Sequence, residues 1–183
     1  MYRKILVALD NSPTSDALAT QALELAQATG SELLLVHSLS SQDDQSPLPM
    51  PAKLDSIYWA PGTELDVDAW RQEWARYATE SLERLRHHAA IANTAGVPTE
   101  FRQLAGNPAT TLCKAAQAWG ADLIVVGNRG RRGLSELVLG SVSNHVMHRA
   151  PCAVLVMKGT ALSPDEQPEQ TIESVRDPKH SVD

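Results

Sequence analysis

Short runs of almost uninterrupted aliphatic residues constrain this chain more than any other feature: Ile5 to Leu9, Leu33 to Val36, Asp122 to Val126 and Cys152 to Met157. A strand with one face in water alternates apolar with polar residues, whereas a continuous apolar run needs cover on both faces, as in a parallel sheet between helices. The segments between the runs supply those helices. Ser12 reads as an N-cap with Pro13 at the first helical position. Ala17, Leu18, Ala22, Leu23, Leu25 and Ala26 follow at helical spacing, and Gly30 is the stop. The opening is therefore a βαβ unit with a right-handed crossover.

Val67, Trp70, Trp74, Tyr77, Leu82, Leu85 and Ala89 mark a long amphipathic helix ending near Gly96. Its aromatic residues are expected to bury area in the core or in a dimer contact. Pro98 to Leu104 is a third strand, and Gly106-Asn107-Pro108 opens a helix with Ala109, Leu112, Cys113 and Ala116 inward. Ser141 to Arg149 is a last helix, broken by Pro151 before the final strand. Strictly alternating strands and helices predict one α/β domain: a doubly wound, Rossmann-like sheet of five parallel strands with helices on both faces.

Two stretches fall outside that pattern. Residues 40–64 turn to Ser, Gln, Asp and Pro with no sustained period, the composition of an inserted loop. Residues 159–183 carry Asp165, Glu166, Glu169, Glu173, Asp177 and Asp183 against Arg176 and Lys179, with few apolar residues. A disordered acidic tail is expected there, leaving 1–158 as the domain. The formal net charge is −6. That balance argues against a nonspecific grip on nucleic acid or anionic lipid, which needs a basic surface to displace counterions.

Cys113 and Cys152, the only cysteines, sit in apolar runs and read as small buried hydrophobes in a reducing compartment. The run after the N-terminal Met-Tyr-Arg-Lys is too short for a signal peptide or a membrane span, so a cytoplasmic protein is expected.

Ligands of open α/β sheets sit beyond the carboxyl ends of the strands, where the strand order reverses. Attention therefore falls on the loops after the first and fourth strands. The first is Asp10-Asn11-Ser12-Pro13. The other is Gly127-Asn128-Arg129-Gly130-Arg131-Arg132-Gly133, continuing to Gly140-Ser141 at the start of a helix. Glycines let backbone amides approach an anion, and a helix start adds free N–H groups and the positive dipole end. The stretch suits phosphates. It is neither a Walker A loop, having no Gly-Lys-Ser/Thr, nor the GxGxxG dinucleotide turn.

Gly127, two residues, Gly130, nine residues and Gly140-Ser141, ahead of a helix and a last apolar strand, resembles the nucleotide-binding signature of the universal stress protein family. Lys4 to Asp10 with Ser12, Val36-His37, Gly106-Asn107-Pro108 and Ala150 to Val156 agree in order. The resemblance spans about residues 2–158 and points to the ATP-binding branch, whose glycine motif is complete here. It implies the strand order 3-2-1-4-5 of the adenine nucleotide alpha hydrolase-like fold, which sets the two loops face to face. By the same resemblance, Asp10 approaches the ribose or a Mg2+ on the phosphates, Ala8 and Leu9 lie beside the nucleoside, and backbone near Ser38 meets adenine. Val126, Gly127, Gly130, Gly140, Ser141 and Val142 line ribose and phosphates. Ser38 stands where members often carry an apolar residue, and Ala8 where some carry proline.

Other residues have plainer readings. Asp10 also suits a turn cap. At least one of Arg129, Arg131 and Arg132 is expected to reach a phosphate, with Arg129 among the candidate binding residues. His145 and His148 share a helix face without an acidic or cysteine partner nearby, a poor basis for a metal site. His37 is expected to pack at its strand end with one nitrogen hydrogen-bonded. No residue of the phosphate loop is an obvious activator of water, and Glu136 follows it without a defined direction.

The leading expectation is a cytoplasmic, ATP-binding regulator or sensor of the stress response, homodimeric through Cys152 to Met157, whose open edge calls for cover, and acting on a protein partner. A slow ATPase or a phosphoryl or nucleotidyl transferase using the same pocket is the enzymatic alternative. A nucleotide-free interaction module is the third. A receiver domain is discounted, because Asp10-Asn11 is not an acid pair and no phosphoacceptor Asp follows a middle strand.

Overall fold

The computed structural model describes residues 2–41, 43, 46–47, 67–128 and 140–158. Most of the inserted loop, the arginine-bearing part of the glycine loop (129–139) and the acidic tail lie outside the described residues. Among the described residues nine elements alternate: β1 (Lys4–Ala8), α1 (Thr14–Thr29), β2 (Glu32–Leu39), α2 (Val67–Thr94), β3 (Thr99–Ala105), α3 (Pro108–Trp119), β4 (Leu123–Asn128), α4 (Ser141–Arg149) and β5 (Ala153–Lys158). The strands form one sheet in the order β3-β2-β1-β4-β5, and every pairing is parallel. This is the doubly wound α/β fold and the strand order that the resemblance implied.

The apolar runs behave as their patterning requires. Along β1, β2 and β4, side chains alternate between two cores. Ile5, Val7, Leu9, Leu33, Leu35, Leu123 and Val125 pack under α1 and α2 with Leu18, Ala22, Ala26, Leu85 and Ala89. Leu6, Leu34, Val36, Ile124 and Val126 pack under α3 and α4 with Leu112, Ala116 and Val146. Ile5, Leu6, Leu34, Val36, Ile124 and Val125 have no exposed surface at all, which is why the central stretches of these strands are uninterrupted aliphatic residues.

Boundaries hold to a residue or two, with instructive exceptions. Pro13 has helical dihedrals, φ −60° and ψ −23°, but occupies the N-cap, so the helix starts one residue later than the Ser12 cap predicts. The reason is local: the Ser12 hydroxyl bonds the Asp10 carboxylate and Thr14 Oγ1 rather than a helix amide. β2 runs beyond Val36 to Leu39, because its register with β3 continues through His37, Ser38 and Leu39. Asn107 caps α3 by accepting from the Thr110 amide at 3.2 Å, ahead of Pro108. Gly30 and Gly120 end α1 and α3 in the left-handed conformation, φ 67° and 73°.

Asp122, just before β4, accepts from the amides of Arg3 and Lys4 at 2.9 and 3.0 Å, pinning the start of β1. These backbone donors hold its carboxyl below the usual aspartate range. Cys113 and Cys152 are free and only partly buried, a correction to the buried reading: both sit at the margin of the α3–α4 core rather than inside it. Burial still pushes both thiols up. No helix among the described residues is long and apolar enough to cross a membrane.

Candidate functional site

Strand order reverses between β1 and β4. They are hydrogen-bonded neighbours, with Ala8 opposite Val126 at their carboxyl ends. The ends of these strands therefore meet in one place: the turn bearing Asp10 from one side and Gly127 near the end of β4 from the other. This juxtaposition is the crevice where open α/β sheets bind their ligands.

The β1–α1 turn is built around the Asp10 carboxylate. Its Oδ1 accepts from the Ser12 amide at 2.9 Å, from Ser15 Oγ at 2.6 Å and from the Ser12 hydroxyl. The Asp10 amide in turn donates to Ser15 Oγ at 2.9 Å. A short side chain closing the turn two residues ahead is the ordinary Asx habit, so the capping role foreseen for Asp10 is real. It fixes the carboxylate at the strand end. Asn11, 6% exposed, donates its amide to Ser81 Oγ of α2 at 2.8 Å. Arg84 of α2 donates to the carbonyls of Asn11 at 3.1 Å and Ser12 at 3.3 Å, and to Asp16 at 2.8 Å. A small recess lies here, lined by Asp10, Asn11, Ser15, His37, Ser81 and Arg84 among others.

On the other side, Ser143 in the first turn of α4 donates to the Gly127 carbonyl at 2.9 Å, tying that helix start to the end of β4. Gly140 is the N-cap and brings no side chain to cap α4. The helix thus begins beside β4 with backbone amides as its natural donors.

The remaining predicted residues are placed unevenly. Ala8 and Val126 share the α3–α4 side of the sheet. Leu9 turns its side chain into the α1–α2 core, and its amide donates to the Val36 carbonyl at 2.9 Å. The Ser38 hydroxyl donates to the Gly106 carbonyl at 2.9 Å and lies 3.1 Å from Thr111 Oγ1, so this polar side chain at a buried strand end is satisfied by the β3–α3 turn. Ser141 is exposed and Val142 partly buried at the α4 start. Arg129 and Gly130, with Arg131, Arg132 and Glu136, lie outside the described residues.

His37 is 2% exposed. Its Nε2 lies 3.4 Å from both Asp43 Oδ2 and the Tyr77 hydroxyl, and Tyr77 donates to Asp43 at 2.9 Å. Its Nδ1 is buried without a partner among the described residues. Tyr77 begins an aromatic column on α2: Trp74 meets it edge-on at 5.6 Å, and Trp70 lies 6.0 Å from Trp74. His88 contacts Asp16 at 3.0 Å. Burial lowers its pKa although Asp16 opposes the shift. A neutral ring donating Nε2–H to the carboxylate, which only accepts, satisfies both facts. Among the described residues no group of three or more His, Cys, Asp or Glu is placed to hold a metal by itself.

Sequence reading passed over Ser143, Ser81, Arg84 and the Asp43–Tyr77 pair. Ser81 and Ser143 carried a faint signal, as small polar residues on the inward faces of amphipathic helices. Arg84 carried none, because an arginine on a helix reads as solvated.

Comparison with known proteins agrees with this fold. The model of the universal stress protein family matches residues 1–158. A universal stress protein of Synechocystis sp. is 32% identical over 160 residues, 86% of this chain and 98% of the relative. Among solved structures, a universal stress protein in complex with cAMP superposes with a TM-score of 0.55 at 23% identity, covering 87% of this chain and 98% of that one. A universal stress protein family protein from Arabidopsis thaliana with AMP bound gives a TM-score of 0.56 at 22% identity, covering 92% and 97%. Strand order, the paired strand ends and a match through nearly every described element lead to one conclusion: the chain belongs to the universal stress protein family.

Proposed function

We propose that this chain is a cytoplasmic ATP-binding regulator of the stress response, holding ATP with Mg2+ across the carboxyl ends of β1 and β4 through its 1–158 domain. The observation that carries the reading is the pairing of Ala8 with Val126, which brings the Asp10 turn and Gly127 together where the strand order reverses. The cAMP and AMP held by two fold neighbours support an adenine nucleotide as the ligand class.

Asp10, fixed by Ser12 and Ser15, is the residue assigned to the ribose or to Mg2+. The donors here are carboxylate and hydroxyl oxygens, the hard ligands that Mg2+ prefers, and Mg2+ commonly takes only one or two protein carboxylates beside substrate phosphates and water. The residues fit a cation that arrives with the nucleotide. Bound there, it would neutralise phosphate charge. The amides of Gly127 and of the α4 start at Gly140, Ser141 and Val142 are assigned to the phosphates with Arg129 and Gly130, and backbone near Ser38 to adenine. ATP is held with at most slow turnover, since nothing assigned to the site activates water.

β5 is an edge strand whose Val154, Leu155, Val156 and Met157 are only partly buried, and a second copy pairing there is the natural cover. The output passes to a protein partner.

The direct test is to purify the protein without added nucleotide, denature it and identify what is released. ATP at a stoichiometric level is expected. Release of no adenine nucleotide, together with no rise in melting temperature on adding MgATP, overturns the reading. Phosphate or AMP formation beyond one equivalent would favour the transferase or ATPase instead.

A further inference from the structure

One face of α2 meets the β1–α1 turn and the start of α1 through Ser81, Arg84 and His88, which recur at helical spacing and share a stripe. The polar groups of this stripe do little for α2 itself. Ser81 Oγ receives the Asn11 side-chain amide at 2.8 Å, buried, while donating to the Tyr77 carbonyl one turn back at 2.7 Å. The Arg84 guanidinium spans two successive backbone carbonyls, Asn11 at 3.1 Å and Ser12 at 3.3 Å, and anchors on Asp16 at 2.8 Å. His88 braces the same Asp16. Apart from the Ser81–Tyr77 bond, these contacts converge on residues 11–16, the turn and first helical residues directly after Asp10.

A planar fork gripping adjacent carbonyls restrains a loop more than a flexible point charge does. The restrained turn also contains both hydroxyls that orient Asp10, those of Ser12 and Ser15. We propose that Ser81 and Arg84 are positioning residues of the nucleotide site: they touch no ligand but hold the β1–α1 turn so that Asp10 meets the Mg2+–nucleotide correctly. The assignment rests on the ATP reading above and extends it to a helix that the glycine signature does not include.

The test is fluorescence anisotropy of a labelled ATP, with Mg2+ and again in EDTA, on the full chain. Arg84→Gln, Arg84→Lys, Ser81→Ala, Asp10→Ala and the double variant Asp10→Ala/Arg84→Gln are compared with wild type. Arg84→Gln is expected to weaken Mg2+-dependent binding about tenfold, the usual scale for removing a residue that orients a ligand group, with Ser81→Ala weaker in effect and Arg84→Lys partly restored. In the Asp10→Ala background the Arg84 change should add less than about twofold, because a residue acting through Asp10 has nothing left to position. Equal losses with and without Asp10, or wild-type affinity in both Arg84→Gln and Ser81→Ala, would overturn the assignment while leaving the ATP site standing. If the wild type binds no labelled ATP, the ATP reading falls and this assignment falls with it.

Discussion

A methyl group added at Gly127 would meet Leu18 Cδ2 at 3.4 Å, an ordinary van der Waals contact, and the residue has no positive φ. Packing and backbone geometry therefore do not demand glycine there; in the proposed function, close approach of the nucleotide to the backbone would. Gly127→Ala should keep its stability to within about 1 kcal/mol in urea denaturation and still weaken MgATP binding. Loss of folding in that variant would make the glycine a structural residue. Asp122 is the opposite case, legible only in the structure. Amides of Arg3 and Lys4 depress its pKa, so its stabilising contribution is present above the ordinary aspartate value and disappears as pH falls through the depressed one. Asp122→Asn should be less stable than wild type at neutral pH, and the gap should narrow in acid. A gap independent of pH would contradict the assignment. Asp10 was singled out in the sequence because it follows a buried strand, whereas Arg84 was missed because its partners are backbone carbonyls some seventy positions away, invisible to any local pattern.

Elements were more legible than their uses. β1, β4 and β5 announce themselves as aliphatic runs, and α1 and α3 end at glycines whose left-handed φ the helix stop requires. Nothing lies within 4 Å of a Cβ built at Gly120, so Gly120→Ala tests the backbone alone and should cost about 1–2 kcal/mol by thermal or urea unfolding. The far end of β2 is not legible as a strand because His37 and Ser38 break the apolar run. Both are buried polar residues: His37 is placed beside Asp43 and Tyr77, and Ser38 is bonded to Gly106. Tyr77→Phe removes the donor to a largely buried Asp43 and should destabilise by about 1–3 kcal/mol, read from the denaturation midpoint. No change would mean that this hydrogen bond contributes nothing to stability.

For the whole molecule, alternation of strand and helix was enough to predict a parallel sheet with both faces covered. The strand order came from the resemblance and not from the periodicity, since local pattern says nothing of which strands adjoin. That order turns two residues far apart in sequence, Asp10 and Gly127, into neighbours at adjoining strand ends. Covering the β5 edge is also a property of the whole: sedimentation equilibrium should return the mass of a dimer, and a monomer at all concentrations would contradict pairing through that strand. The central claim is that the crevice between β1 and β4 holds ATP. Calorimetric titration of MgATP into the nucleotide-free wild type and into Gly127→Ala tests it most directly. One site per chain in the wild type, clearly weakened in an equally folded variant, is the predicted result, and identical titrations or no heat with either protein would contradict it.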